Sequence, residues 1–358
     1  MATIAQSIVT SMTDNLPVYV IHENPLWFTP VAEALERAGI IVREWPLAER
    51  TAGQIDLSSI PPEGIFWARL SASAHTRGNA HTKDYARSVL AWLEGAGRRV
   101  VGGRSALELE VSKVGQYMAL ARHGFDVPRT TAVFGRTGLT KAARTFQAPF
   151  IVKDNEGGKG LSVRRFDSHG ELEYHVSALR AFEEPVDGIS LVQEYLPSAH
   201  PFITRVEFVG GRFLYAVRVD ISNDSFELCP AESVNHPEST TVSPFSLHEG
   251  FEHHPLVSRY ERFLAAIGVE IAGIEFIETN DGRLVTYDLN TNTTYNPAVE
   301  AAAARSGAKA LSEFFAELVA GRPDLDQLGP PVPSSASREL DPDWSTLGKI
   351  DRGAAQFW

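Results

Sequence analysis

The chain has 358 residues, 43% of them hydrophobic and 22% charged, with one cysteine and a formal net charge of −12. That length builds two or three domains with their own cores, and the acidic balance without any Lys/Arg run argues against nucleic acid or an anionic membrane as a partner. The lone Cys229 excludes an internal disulfide framework, the first 16 residues lack the basic leader of a signal peptide, and no apolar run is long enough to span a bilayer, so a cytoplasmic protein is expected.

Residues 17–22 (PVYVIH) read as a short apolar strand after a flexible tail over 1–16. Residues 29–39 (TPVAEALERAG) then read as an amphipathic helix closed by Gly39, and 40–45 as a second strand. Residues 64–70 (GIFWARL) make a third strand, 85–94 carry helical periodicity, and 98–102 return as a strand. This alternation predicts a small parallel, Rossmann-like α/β domain over 17–108. Its first turn, HENPLW, has no G-x-G-x-x-G and so no dinucleotide fingerprint. Arg69, His75, Arg77 and His81 follow the third strand, at the end where open α/β sheets place ligands. They suit a substrate carboxylate, or are ordinary surface-loop residues.

From residue 108 the periodicity becomes that of one helix running to Gly124 and carrying Lys113. A short strand (130–134) and a helix (137–146) lead into APFIVKDNEGGKGLSVRRF at 148–166, which reads as strand, glycine-rich loop, strand. A Walker loop needs G-x-x-x-x-G-K-[ST] feeding a helix, so this is not one. A glycine-rich hairpin can fold its backbone N–H groups over phosphates with Lys153 as a flanking charge; such hairpins are also common on surfaces where nothing binds. After a helix at 168–182, the strand 188–196 (GISLVQEYL) turns polar at Gln193-Glu194-Tyr195, either offering backbone groups to a planar ring or simply leaving a core. Residues 202–220 form a hairpin about Gly210-Gly211, and Arg205, Glu207 and Arg218 are expected on one face. Such a row is a solvated face unless it lines a cleft, where it clamps anions.

Residues 222–254 lack periodicity and read as a long loop, whose His248, His253 and His254 have no zinc-ligand spacing. A helix at 256–267 precedes IAGIEFIETNDGRLVTYDLNTNTTYN (271–296), a hairpin turning at Asn280-Asp281-Gly282. Glu275 on its first strand, and Asp288 and Asn290 two apart on its second, project to one face. Two carboxylates and an amide oxygen are hard donors of the kind Mg²⁺ takes, although the pattern also describes a solvated strand face. Helices at 298–306 and 309–320 and a Pro- and Asp-rich tail from 322 complete the chain. The closing helices and the aromatic C-terminus lead to the expectation of a homodimer.

Taken in this order, the two lysines, the glycine-rich hairpin, Gln193 to Leu196, the arginine hairpin and the Glu275, Asp288, Asn290 set make the chain resemble the ATP-grasp superfamily. Within it the chain resembles the RimK-like carboxylate–amine (glutamate) ligases, over residues 64–320. The resemblance implies an ATP-grasp fold, α/β and α+β, in which the Rossmann-like domain precedes a central subdomain (109–190), a C-terminal subdomain (191–322) and an arm (323–358). It implies that Lys113 and Lys153 contact the α- and β-phosphates and that the loop with Gly157, Gly158, Lys159 and Gly160 closes over the triphosphate of ATP. Gln193, Glu194, Tyr195 and Leu196 would read adenine, and Arg205 and Arg218 would face the γ-phosphate and an acyl phosphate. Glu275, Asp288 and Asn290 would hold one or two Mg²⁺, or Mn²⁺ in its place.

The implied chemistry is phosphoryl transfer to a small amino acid or peptide carboxylate, then attack by an amine to give an amide, ADP and phosphate. Two positions depart from the branch. Ile203 stands where an acidic residue is usual, two before the arginine, and the loop after Arg218 lacks an Arg/Asn-rich pattern. Both bear on the acceptor, so a ligase acting on a protein or carrier-protein terminus remains open. A kinase stopping at phosphoryl transfer and a non-catalytic nucleotide-binding scaffold are the competing classes.

Overall fold

The structure, a computed structural model, describes residues 16–48, 53–158, 160, 162–177, 184–222 and 243–321. Lys159, Cys229, most of the aperiodic loop and the expected C-terminal arm lie outside the described residues. Strands β1 (Val18–His22), β2 (Val42–Pro46), β3 (Ile65–Arg69) and β4 (Arg99–Val101) form a parallel sheet in the order β2-β1-β3-β4. Helix α1 (Pro25–Arg37) starts four residues before the periodicity suggests, because the Asn24 side chain accepts from Leu26 N–H at 3.1 Å and Pro25 fills a first position that needs no donor. Helix α2 (Thr82–Gly95) covers one face of the sheet through Leu90 and Leu93. The other face packs on α1 and on α9 (Gly307–Val319), whose Phe315 meets Trp67 with ring centroids 4.9 Å apart. The apolar side of α9 is therefore spent within its own chain.

The single helix expected after residue 108 is two: α3 (Arg104–Glu110) and α4 (Lys113–Arg122). Ser112 is extended, and its hydroxyl accepts from Gly115 N–H at 3.1 Å, which stops one helix and caps the next. Lys113 thereby sits at the first position of α4 rather than inside a helix. Next come β5 (Thr130–Phe134), α5 (Leu139–Ala143), β6 (Phe150–Asp154), β7 (Arg164–Phe166), α6 (His169–Ser177) and β8 (Ile189–Glu194). The strands make an antiparallel sheet, β5-β8-β6-β7, with a small core around Phe146, Phe150, Phe166 and Leu172.

A second antiparallel sheet, β11-β10-β9-β12-β13, is built from β9 (Phe202–Val209), β10 (Arg212–Asp220), β11 (Phe245–Leu247), β12 (Ala272–Glu278) and β13 (Leu284–Asn290). Strand β11 falls in a stretch read from sequence as loop. One face of this sheet packs on α4 and α7 (Pro255–Ile267) through Phe125, Tyr260 and Phe263. Helix α8 (Pro297–Ala302) is shorter than expected. Among the described residues no helix is long and apolar enough to cross a membrane.

The β9–β10 hairpin corrects one expectation. Phe213 lies opposite Phe208, but Tyr215 lies opposite Glu207, so Leu214 is an extra residue on β10. A bulge of one residue reverses the facing of everything beyond it. Arg218 pairs with Thr204, where an unbroken register would set it opposite Ile203 on the face of Arg205. Arg205 and Glu207 share a face as expected. Arg218 is on the other one.

Candidate active site

The two antiparallel sheets and the loop after β3 enclose a cavity of about 640 Å³. Lys153 on β6, Arg205 on β9, Glu275 on β12 and Asp288 and Asn290 on β13 all line it, as do Lys113, Gly157, Gly158 and Gly160. The strands deliver these groups by register. Glu275 is paired with Arg205 on one side and Asp288 on the other, so the three stand in a row across the sheet.

Lys113 reaches that row because Gln116 docks α4 against β13. The Gln116 amide donates to Leu289 C=O at 2.8 Å and accepts from Leu289 N–H at 3.0 Å, as a neighbouring strand would. Three residues earlier, Lys113 Nζ meets the Asp288 carboxylate. Asn155, from the strand end before the glycine-rich loop, caps the same helix by accepting from Val114 N–H at 2.9 Å. The loop itself is tied down by an ion pair between Glu156 and Lys83 of α2. Gly158 lies so close to the loop after β3 that a Cβ there would stand 3.2 Å from Ser73 Cβ.

Lys153 is buried, its ammonium donating to Tyr117 Oη at 2.7 Å, and Tyr117 in turn donates to Gln193 Oε1 at 2.9 Å. Burial, and then the Lys113 charge, bring the Lys153 ammonium down to about 7. An anion placed between the two lysines would offset that penalty. Gln193, Tyr195 and Leu196 line the cavity where β8 ends, whereas the Glu194 side chain turns away to accept from Arg129 N–H at 2.8 Å.

Arg205 is fully engaged. Nε donates to Glu207 at 2.6 Å, Nη1 to Glu275 at 2.9 Å and Nη2 to Thr293 Oγ1 at 2.7 Å. Burial disfavours its charge, but Glu207 and Glu275 more than offset this and hold it firmly protonated. Gly273 permits the arrangement, since a Cβ there would run into the Arg205 guanidinium.

The oxygen set fits a divalent cation by its chemistry. Burial, and then the neighbouring Asp288, push the Glu275 carboxyl up. Burial acts the same way on Asp288, but Lys113 overcomes it and holds that carboxyl below its usual range. Two adjacent carboxylates with an amide oxygen two residues on are hard donors of the kind Mg²⁺ takes. Among the described residues no cluster of three or more His, Cys, Asp or Glu could hold a metal ion, so an ion here would take its remaining ligands from a bound phosphate or water.

The cluster expected to hold a substrate carboxylate does not line the cavity. Arg69 is buried behind its wall, donating to Trp27 C=O at 2.7 Å and Thr293 C=O at 3.1 Å, so it ties two loops together. Arg77 pairs with Glu23 and stacks on Trp27, and the His75 ring bonds its own loop at Ala72 C=O. Ser71 and Ser73 of the same loop reach the cavity instead. Arg218 lies over the Phe202 ring at 5.0 Å, away from the cavity. Sequence reading also missed Gln116, Tyr117, Asn155 and Glu110. Only the Ser112 cap carried a local signal, since the others act through partners far along the chain.

Two lysines, a glycine-rich loop and an acid–amide strand pair around one cleft between antiparallel sheets define the ATP-grasp fold, and the chain has that fold. Its branch likeness is to RimK-like ligases. The ATP-grasp ligase PsnB, solved with a minimal precursor, Mg and ADP, superposes with a TM-score of 0.59 at 16% identity, covering 85% of this chain and 98% of that one. A RimK-domain ATP-grasp protein from Sphaerobacter thermophilus gives 0.58 at 16% identity over 83% and 98%. In sequence, the chain is 26% identical over 239 residues to β-citrylglutamate synthase B of Danio rerio, covering 66% of this chain. The match takes in 55% of that relative, so the chain spans about half the length of the curated protein it matches. No protein-family model matches the chain.

Proposed function

We propose that the protein is an ATP- and Mg²⁺-dependent carboxylate–amine ligase working through an acyl phosphate. The observation that carries this reading is the single cavity in which Lys113 and Lys153 face Glu275, Asp288 and Asn290 with Arg205 beside them. Lys113 and Lys153 hold the α- and β-phosphates of ATP as point charges, and the loop through Gly157, Gly158 and Gly160 lies over the triphosphate. The end of β8 from Gln193 to Leu196 receives adenine. Bound at Glu275, Asp288 and Asn290, Mg²⁺ supplies charge neutralisation across the transferring phosphoryl group.

Arg205, locked by three hydrogen bonds, holds its charge beside the substrate carboxylate and then the acyl phosphate without having to reorganise during transfer. The loop tied at Lys83 and Glu156 keeps water from the acyl phosphate until an amine attacks. Relatives and structural neighbours support the reading, because those named include a synthase and an ATP-grasp ligase. The acceptor is a small amino acid or peptide, and the precursor bound by PsnB favours the peptide side of that pair.

The test supplies ATP, Mg²⁺ and hydroxylamine with a panel of carboxylic acids, hydroxy acids among them. Hydroxamate formed in step with ADP is the expected result. ADP release accompanied by a phosphate ester and no hydroxamate points instead to a kinase.

A further inference from the structure

On either side of Asn292 the loop leaving β13 is pinned. Thr291 donates its N–H at 2.7 Å and its hydroxyl at 2.9 Å to the buried Glu110 carboxylate. Asn292 N–H donates to Asn290 Oδ1 at 2.9 Å. Thr293 bonds Arg205 and Glu207 through its hydroxyl and Arg69 through its carbonyl. The Asn292 amide sits in the middle of this mount, 7% exposed and lining the cavity, and neither its Oδ1 nor its Nδ2 has a partner. A buried amide left unpaired on a rigid mount, two residues past a candidate metal ligand, needs an explanation.

The charges nearby narrow what completes it. Arg69 is spent on two carbonyls, Arg77 on Glu23 and Ser73, Arg205 on two carboxylates and a hydroxyl, and Lys113 on Asp288. A second free carboxylate lodged here would have to compete for these cations with the partners they already hold and with the phosphates and the reacting carboxylate, and burying it would be costly. A neutral amide would not incur that cost. It offers one acceptor and one donor side by side, which match Nδ2 and Oδ1, and the broad terminal torsion of Asn lets the head turn toward the cavity while the backbone stays fixed.

We propose that Asn292 reads a neutral amide group, a peptide bond or a carboxamide, on the substrate whose carboxylate is activated. The proposal rests on the ligase reading for its chemistry but not for its binding test. The substrate therefore carries an amide near the reacting carboxylate rather than a second carboxylate.

The experiment compares matched acids: succinamate with succinate, glutamine with glutamate, and N-acetylalanine with alanine. The first two pairs probe a carboxamide and the third a peptide-type amide. Each is measured as hydroxylamine-supported ADP release in wild type, N292L and N292D. At least one amide-bearing acid is expected to exceed its partner by tenfold or more in kcat/KM. N292L should erase that ratio to about twofold, mainly through KM, because a site built to hydrogen-bond a group rejects ligands lacking it, whereas N292D, which still accepts from an amide N–H and repels a second carboxylate, should keep the preference for the carboxamide.

The same acids are titrated calorimetrically into the protein loaded with Mg²⁺ and a non-hydrolysable ATP analogue, with N292S as a milder variant and thermal midpoints as the folding check. If no acid supports ADP release, the ligase reading fails. Amide-selective binding that is lost in N292L and N292S still upholds the role of Asn292. Equal binding of both members of every pair, no binding of any amide-bearing acid, or selectivity unchanged in N292L and N292S overturns it.

Discussion

Arg205 and Arg218 stand on adjacent strands of one hairpin, and the fold gives them opposite surroundings. Arg205 lies on the cavity face, bonded to Glu207, Glu275 and Thr293. Arg218 lies on the helix-covered face of the same sheet, stacked on Phe202 and opposite Ser246 on β11. One inserted residue, Leu214, separates these outcomes. Residue type and alternation therefore say which side chains share a strand face, but a single bulge decides which face that is. The carboxylate side of the cavity depends on a second such bulge, since Phe276 lies opposite Thr286 but Glu275 opposite Asp288, so the extra residue Tyr287 is what brings the two carboxylates together.

The largest effect should follow from emptying the cavity face of its charge. Asp288→Asn removes one oxygen anion from the candidate metal set and leaves Lys113 without its partner. ADP formation is expected to fall about a thousandfold, roughly 4 kcal/mol in the barrier. Steady-state assays over a Mg²⁺ titration check this, and a rate within tenfold of wild type would remove Asp288 from the site. Arg205→Lys comes next. Lysine keeps the charge but not the planar fork that meets Glu207, Glu275 and Thr293 together, so kcat/KM should drop about a hundredfold. The loss should lie in kcat if Arg205 acts on the transferring group, and in KM if it only binds.

How far the sequence could be read follows from the range of each signal. The parallel first sheet, the glycine-rich hairpin and the 271–296 hairpin are written in local periodicity and turn residues; the sheet forms as read, the strand after the glycine-rich loop is only Arg164–Phe166, and the 271–296 hairpin forms with an extra residue at Tyr287. Lys113, Lys153, Glu275 and Asp288 could be singled out because each sits in a short pattern with a chemical meaning. The break at Ser112 was overlooked although its cap is local, since apolar spacing carries on through it. The bulge at Leu214 leaves no local mark. Glu110, Gln116 and Tyr117 have partners at Thr291, Leu289 and Gln193, more than 70 residues away, so only the folded chain shows what they do. Arg69 illustrates the reverse error, because its place at a strand end suggested a ligand while its donors hold the walls of the cavity together.

The lysine pair sharpens the comparison through pH. In the free protein burial and Lys113 hold Lys153 near 7, and bound phosphates must raise it. Above pH 7 nucleotide binding is then accompanied by proton uptake, so apparent ATP affinity should fall by up to tenfold per pH unit, with little change below. Titrations in buffers of different ionisation enthalpy measure that uptake. Lys153→Arg, which stays charged throughout, should flatten the profile even if it weakens binding overall.

The smallest effect belongs to Arg218. With its guanidinium 5.0 Å over Phe202 and no place in the cavity lining, Arg218→Ala loses a cation–π contact at the end of a strand and nothing in the reaction. A stability change of about 1 kcal/mol or less and a kcat/KM within about twofold of wild type are expected. Measured beside Arg205→Lys, this variant tests the bulge directly. If β10 ran without its extra residue, Arg218 would face the phosphates beside Arg205, and its removal would cost as much as the Arg205 change.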